Sequence, residues 1–300
     1  MKSDAVALPL IRSRGPDFLA LAKPRLNMLV IATTCVGFYL GGAGQFDAIT
    51  LVGVLVGTAL VAAGSAALNQ LYERDLDALM VRTRTRPLPD GRLQPVEATW
   101  FGVVAALAGL ALLMVTTNVL TAGVAAATLV TYLAVYTPLK RRTPLSTLVG
   151  AVPGALPPVI GWAAARGELG VDAWALFAIV FVWQIPHFFA IAWLYREDYA
   201  RAALPLLTVL ETDGLRTGMF AALFAAVLVP VSWLPTLVGL TEPWYVVGAT
   251  VLGVPFAALA FRFAFRRTNT HARWLFFGSL IYLPALWVLL IIGRTPAGWS

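Results

Sequence analysis

The stretch Asn69-Gln70-Leu71-Tyr72-Glu73-Arg74-Asp75-Leu76-Asp77, followed after four apolar residues by Arg82-Thr83-Arg84-Thr85-Arg86-Pro87, decides how this chain is read. It closes an apolar run from about residue 48 to 68, long enough to span a bilayer as a helix. The polar stretch is therefore the end of a membrane helix. At 100° per residue, Asn69, Glu73 and Asp77 fall within about 80° of one another, stacked over roughly 12 Å of axis. A carboxylate facing hydrocarbon costs about 2.5–3.5 kcal/mol or more, so this face is predicted to look into a polar cavity. Two carboxylates and an amide in one column are hard oxygen donors, the kind that suit Mg²⁺ holding a phosphate-bearing substrate. The arginines behind them are forks that match phosphate or carboxylate. The competing reading is a solvated helix end closed by a basic loop.

Outward from this stretch, 59% of the 300 residues are hydrophobic and only 12% are charged. That balance lies outside soluble globular domains. The charges also cluster, leaving long uncharged runs, so the expected fold is an all-α polytopic membrane protein. Apolar segments near 26–42, 48–68, 96–115, 118–136, 146–165, 172–194, 217–238, 243–261 and 274–292 predict nine transmembrane helices. Glycine or proline marks most boundaries, as in Pro87-Leu88-Pro89-Asp90-Gly91. The tightest division falls at Thr116-Thr117-Asn118. Residues 1–20 read as a cytoplasmic arm carrying Lys2, Arg12 and Arg14, with Pro9 and Pro16 breaking any helix; residues 21–300 read as one transmembrane domain. No small-residue cleavage site follows a short apolar core, so no removable signal peptide is expected. Cys35 is the one cysteine, which excludes an internal disulfide and a cysteine metal cluster.

The net charge of +7 does not point to nucleic acid, because the basic residues sit in short loops beside apolar segments, where they set topology and attract anionic lipid. With the N-terminus in the cytoplasm and nine spans, 20 of the 22 Lys and Arg residues fall on the cytoplasmic side; Arg166 and Arg294 do not. The expected orientation is N-terminus in and C-terminus out.

A second polar helix end follows the sixth span: Trp183-Gln184-Ile185-Pro186-His187-Phe188, then Arg196-Glu197-Asp198-Tyr199-Ala200-Arg201. Gln184 and His187 in an apolar helix with Pro186 mark a polar interior. Glu197 and Asp198 point in different directions on a helix, so one of them is expected to serve a metal. Asp198 with Arg201 reads equally as a surface ion pair. His187 is a candidate for ligating haem iron or taking a proton, or else a packed, hydrogen-bonded ring. Two acidic ends four spans apart on one membrane face are what an internal duplication would leave. Between them, Lys140-Arg141-Arg142 is a third basic element, and Pro153, Pro157 and Pro158 predict a broken helix lining a cavity.

No Walker-type loop, His-Glu-x-x-His, Gly-x-Ser-x-Gly or Cys-x-x-Cys-His motif occurs. A lipid-facing cavity with carboxylates for Mg²⁺ and arginines for a polyanion fits cleavage of a lipid diphosphate. The stretch at 69–89 resembles the first acidic motif of the UbiA-type membrane prenyltransferases. Four further places are similar to the haem-farnesylating branch of that family: Leu21-Ala22-Lys23-Pro24-Arg25, Leu139-Lys140-Arg141-Arg142-Thr143-Pro144, Gly154-Ala155-Leu156-Pro157-Pro158 through Trp162, and Trp183 through Ala202. The resemblance covers about residues 20–290. The chain departs from it in carrying Glu73 where many relatives have Asp, and in a second acidic motif reduced to Glu197-Asp198.

That resemblance implies nine helices around a central cavity and transfer of farnesyl from farnesyl diphosphate to the 2-vinyl group of haem b. Water is added, and haem O and diphosphate result. It implies Mg²⁺ as cofactor, haem b as substrate rather than cofactor, haem A synthase as a candidate partner, and a bacterial inner membrane with the site facing the cytoplasm. Asn69, Glu73, Asp77 and Asp198 would be the catalytic and metal-binding set. Arg82, Arg86, Lys140, Arg141, Gln184, His187, Tyr199 and Arg201 would bind substrates, and Tyr72 or Tyr136 would shield an allylic cation. The alternatives are a quinone-precursor or chlorophyllide acceptor and, from other classes, a membrane transporter or a haem-binding assembly factor.

Overall fold

The computed structural model describes residues 14–42 and 47–295. Lys2, Pro9 and Arg12 of the expected arm lie outside the described residues. Every regular element is helical, and the one extended pairing among the described residues is an isolated antiparallel bridge between Thr241 and Arg294.

Helix α1 (Gly15–Ala22) turns into α2 (Pro24–Gly41) through a 48° bend at Lys23, whose φ of 47° is left-handed. Pro16 and Pro24 each sit in a first helical turn, where a missing N–H leaves nothing unsatisfied. Pro16 thus begins a helix where the sequence predicts a break. Helix α3 (Ala48–Leu79) is capped by Asp47, which accepts from the Ile49 and Thr50 N–H groups. Its 32 residues extend about 48 Å, well beyond the ~30 Å of bilayer hydrocarbon. The surplus is the polar end that carries Asn69 to Asp77. Helix α4 (Pro95–Thr116) packs along α3 on a seam of glycines. A methyl group on Gly109 would stand 2.7 Å from the Gly57 carbonyl oxygen, so only glycine admits this approach.

The tight division at Thr117-Asn118 is real. Asn118 caps α5 (Val119–Val130) by accepting from Thr121 N–H at 2.8 Å, and donates to the Ala163 carbonyl. Helix α5 passes through one π-helical segment, Thr131–Tyr136, into α6 (Thr137–Leu139), a single span with a widened turn. The following span is broken as expected, into α7 (Ser146–Ala155) and α8 (Pro157–Arg166) around Leu156. Prolines 157 and 158 lack the N–H groups that would continue the ladder. Gly37 of α2 and Gly161 of α8 let those two backbones touch.

Helix α9 (Val171–Leu194) runs uninterrupted through Pro186 and is the most buried span, packed against α2, α7 and α8. Short α10 (Arg196–Arg201) and α11 (Leu207–Leu210) lead to α12 (Leu215–Val231), α13 (Leu234–Leu237), α14 (Trp244–Arg266) and α15 (Asn269–Ile292); α12 and α15 also pack on α9. Among the described residues eight spans are long and apolar enough to cross a bilayer, and the bent α1–α2 pair, counted as one span, brings them to the expected nine.

Contacts sort the loops into two ends. Asn118–Ala163, Arg294 with the Tyr39 carbonyl, and Glu242 N–H with the Gly293 carbonyl tie one end. Glu73–Lys140, Asp198 with residues 81–82, and Arg196–Asn269 tie the other. This second end holds the site.

Candidate active site

Asn69, Glu73 and Asp77 lie on one face of α3 and are all buried, at 3%, 4% and 1% exposure. The predicted column exists, and it is not solvated. Each member has a partner from another element. The Asn69 amide donates to Thr137 Oγ1 at 3.2 Å. Lys140 Nζ donates to both Glu73 oxygens at 3.0 Å. Arg86 Nη1 donates to Asp77 Oδ2 at 2.7 Å, and Thr83 Oγ1 to the Asp77 carbonyl at 2.8 Å. A buried carboxylate without such partners would be strongly destabilising, so the column and its cations form one unit. Lys23, at the α1–α2 bend, belongs to the same cluster, coupled through its charge to Glu73, Asp77, Arg86 and Lys140.

The π-helical segment shapes the facing wall. Its wider turn stacks Tyr132 on Tyr136, ring centroids 5.5 Å apart, on the face that continues to Lys140. Thr137 donates back to the Tyr132 carbonyl at 2.8 Å while accepting from Asn69. Tyr136 lies against Gly150 of α7, where a methyl group would meet its ring at 2.6 Å. Tyr132 and Thr137 are site neighbours that sequence reasoning missed. The tyrosine spacing of four residues before Lys140 was a visible signal; the π turn was not.

Of the three loop arginines only Arg86 turns inward. Arg84 is exposed, and Arg82 lays its guanidinium over the Tyr195 ring at 4.8 Å. Tyr72 and Arg141 are not brought to the column either. Tyr72 is 47% exposed, with the Arg141 guanidinium 4.9 Å above its ring and Arg141 donating to its carbonyl. One residue short of Glu73, Tyr72 is rotated 100° from it.

The second acidic end does meet the first. Asp198 is buried and accepts from the Val81 N–H at 3.1 Å and the Arg82 N–H at 3.3 Å, with Arg201 as third donor. Burial works against its charge, but Arg201 and the two N–H groups outweigh that and hold the carboxyl below its ordinary value. Its oxygens are thus engaged with the loop that delivers Arg86. Glu197 is exposed, as two adjacent carboxylates on a helix require. Tyr199 packs with Met80, Ala202 and Leu204 beneath the same loop.

Deeper in α9, Gln184 donates to the Ala151 carbonyl at 2.6 Å and rests on Gly154, fastening α9 to the broken α7. His187 Nδ1 lies 2.7 Å from Ser279 Oγ of α15. Ser279, a lone serine in an apolar helix, gave no local sign of this contact.

Among the described residues no three His, Cys, Asp or Glu side chains converge into a metal cage. Two carboxylates and an amide on one helix face still fit Mg²⁺. That ion takes one or two carboxylates and fills its remaining positions with substrate phosphates and water.

The sequence matches the UbiA prenyltransferase family over residues 30–282. It is 44% identical over 287 residues to a protoheme IX farnesyltransferase of Solibacter usitatus, covering 93% of this chain and 98% of the relative. It is 41% identical to the protein of that name from Myxococcus xanthus, covering 99% of each. Among solved structures, one described as a UbiA homolog from Archaeoglobus fulgidus bound to GPP and Mg²⁺ shares the fold at a TM-score of 0.66 and 18% identity, over 91% of this chain and 99% of that one. A digeranylgeranylglyceryl phosphate synthase structure does so at a TM-score of 0.77 and 16% identity, over 93% and 97%. Matched by that family model over most of its length and more than 40% identical to these relatives, the chain belongs to the UbiA prenyltransferase family, in its protoheme IX farnesyltransferase branch.

Proposed function

We propose that this chain transfers the farnesyl group of farnesyl diphosphate to the 2-vinyl group of haem b, with addition of water, giving haem O and diphosphate. The observation that carries this reading is identity above 40% along nearly the whole chain to proteins bearing that name. The acidic column supplies the chemistry.

Asn69, Glu73 and Asp77 would hold Mg²⁺ against the diphosphate. When bound, the ion neutralises charge on the departing group. Lys140 and Arg86 already reach the two carboxylates, so both cations stand beside the column that would hold the diphosphate. Both charges are fixed before the reaction, so they stabilise the leaving group without reorganisation. The C–O bond breaks with its electron pair passing to diphosphate. The stacked Tyr132 and Tyr136 rings present π-faces that shield the allylic cation until the vinyl carbon attacks it. Water then adds to the porphyrin-stabilised cation. Asp198 acts on the site by holding residues 81–82, and with them the reach of Arg86. His187 and Gln184 lie on the helix that would face the porphyrin.

The site faces the cytoplasm of a bacterial inner membrane in this reading, supported by the 20 basic residues that share its side of the sequence. Haem A synthase, which would receive the product, is the proposed partner. The test is incubation of the purified full chain with farnesyl diphosphate, Mg²⁺ and either haem b or an aromatic acid, followed by mass spectrometry. Haem mass raised by one farnesyl group plus one hydroxyl group supports the reading. Farnesylation of an aromatic acid in its place assigns a different acceptor and overturns it.

A further inference from the structure

Trp183 and His187 stand one turn apart on α9, and both grip Ser279 of α15. Trp183 Nε1–H donates to the Ser279 carbonyl at 3.0 Å, while His187 Nδ1 lies 2.7 Å from its hydroxyl. The imidazole is held between the Trp183 and Phe276 rings, with centroids 5.2 and 5.1 Å away and planes within 22° and 28°. Ser279 is fully buried and His187 is 9% exposed.

The hydroxyl fixes the proton on the ring. Ser279 Oγ also lies 2.6 Å from the Phe276 carbonyl, which can only accept. A serine has one proton, so both short contacts are satisfied together in one way: Ser279 donates to Phe276 and accepts from His187. Nδ1 then carries the imidazole hydrogen, and Nε2 is left with a free lone pair. Among the described residues Nε2 has no hydrogen-bond partner, and His187 keeps 9% of its surface exposed.

We propose that Ser279 is a positioning residue that fixes His187 in the Nδ1–H tautomer and presents Nε2 as a ligand to the iron of the porphyrin substrate. The proposal rests on the haem reading above. A neutral imidazole whose other nitrogen donates to an oxygen is oriented and made more basic towards a metal, and it binds without releasing a proton. The flanking rings prevent the imidazole from turning. An iron bond at this depth, about two helical turns from the end of α9, would hold the porphyrin with one vinyl edge available to the farnesyl cation.

The experiment titrates ferric haem b, and separately metal-free protoporphyrin IX, into the full chain and into the Ser279→Ala and His187→Gly variants. Ser279→Ala is expected to weaken haem b binding by about 10- to 100-fold and to shift its Soret band, leaving metal-free porphyrin binding unchanged. His187→Gly is expected to lose the iron-ligand spectrum, with added imidazole restoring it. A wild-type spectrum in His187→Gly overturns the ligand; a wild-type spectrum and affinity in Ser279→Ala overturns the role of Ser279. Should Ser279→Ala not be recovered folded, nitrogen-15 NMR of the wild-type chain, which has two histidines, decides the tautomer. A protonated Nδ1 supports the proposal and a protonated Nε2 ends it. Product analysis of the wild type separates the two readings. Haem O formed alongside unaltered variant spectra defeats only this proposal, and no farnesylated haem defeats the reading beneath it.

Discussion

Glu73 and Lys140 are the pair on which residue-scale predictions divide most clearly. Glu73→Ala and Asp77→Ala each remove a proposed oxygen ligand and are expected to lower diphosphate release by at least about a hundredfold while the chain still inserts. Near-normal turnover in both would remove the acidic column from the mechanism. Lys140→Met has a second consequence. It leaves a buried carboxylate unpaired, which costs about 3–5 kcal/mol, so thermal unfolding should move well below the wild type. The double variant Glu73→Gln/Lys140→Met should recover much of that stability and none of the activity. The loop arginines give an internal control: Arg86→Ala is expected to lose turnover, and exposed Arg84→Ala to keep it. The column was legible because carboxylates at helical spacing beside an apolar run have nowhere cheap to go except a cavity. Thr137 and Ser279 were not. Their roles depend on partners far along the chain, 92 residues away for Ser279 and His187, and a hydroxyl in an apolar helix carries no local pattern.

At the scale of elements, the loop between α3 and α4 is a built structure. Leu88 and Leu93 anchor it against Leu21 and Ala98, Met80 packs on Tyr199, and Asp198 holds its first turn. Removing that carboxylate strands two N–H groups, at a cost of about 1–3 kcal/mol. Asp198→Ala should therefore speed tryptic cleavage at Arg82 and Arg84, and reduce turnover by loosening Arg86. The same clamp carries a pH dependence. Its carboxyl is held below the ordinary value when folded, so its contribution is fully present above about pH 4. It is lost as the pH falls further, through the lowered folded value. Proteolysis of the loop should accelerate on acidification below that point in the wild type, and Asp198→Ala should lack this step. Spans, the break before Pro157 and the tight division at Thr116-Thr117-Asn118 were legible because apolar length, proline and polar turn residues act locally. The helix at Gly15–Ala22 was not, because a proline that ends one helix is equally suited to begin another. The π turn was not, because this span is apolar on nearly every side, so the phase shift that one inserted residue causes leaves no mark in the sequence.

For the whole molecule, the eight spans of the described residues, nine with the bent α1–α2 pair, sort the described loops into two ends, and the contacts across each end agree with that alternation. The cationic residues are divided unequally between them. Among the described residues 18 of 20 belong to the end that holds Glu73, Asp77 and Asp198, and the other end keeps Arg166 and Arg294. Insertion favours retaining short basic loops in the cytoplasm, so the site end is expected to be cytoplasmic. This also serves function, since a charged diphosphate would otherwise have to cross the hydrocarbon to reach the column. Reporter fusions test it directly. A reporter after Pro89 or within residues 140–143 should report cytoplasm, and one fused after Ser300 should report the outer side. A cytoplasmic C-terminus would mean an even number of crossings. The fault would then lie among the spans after Pro89, because the bent α1–α2 pair, broken by an angle of 48°, precedes that reporter and bears only on the side of the N-terminus. A further reporter placed before α1 tests that pair separately. An outer-side signal there, with the Pro89 fusion still cytoplasmic, would show that α1 and α2 do not together make one crossing.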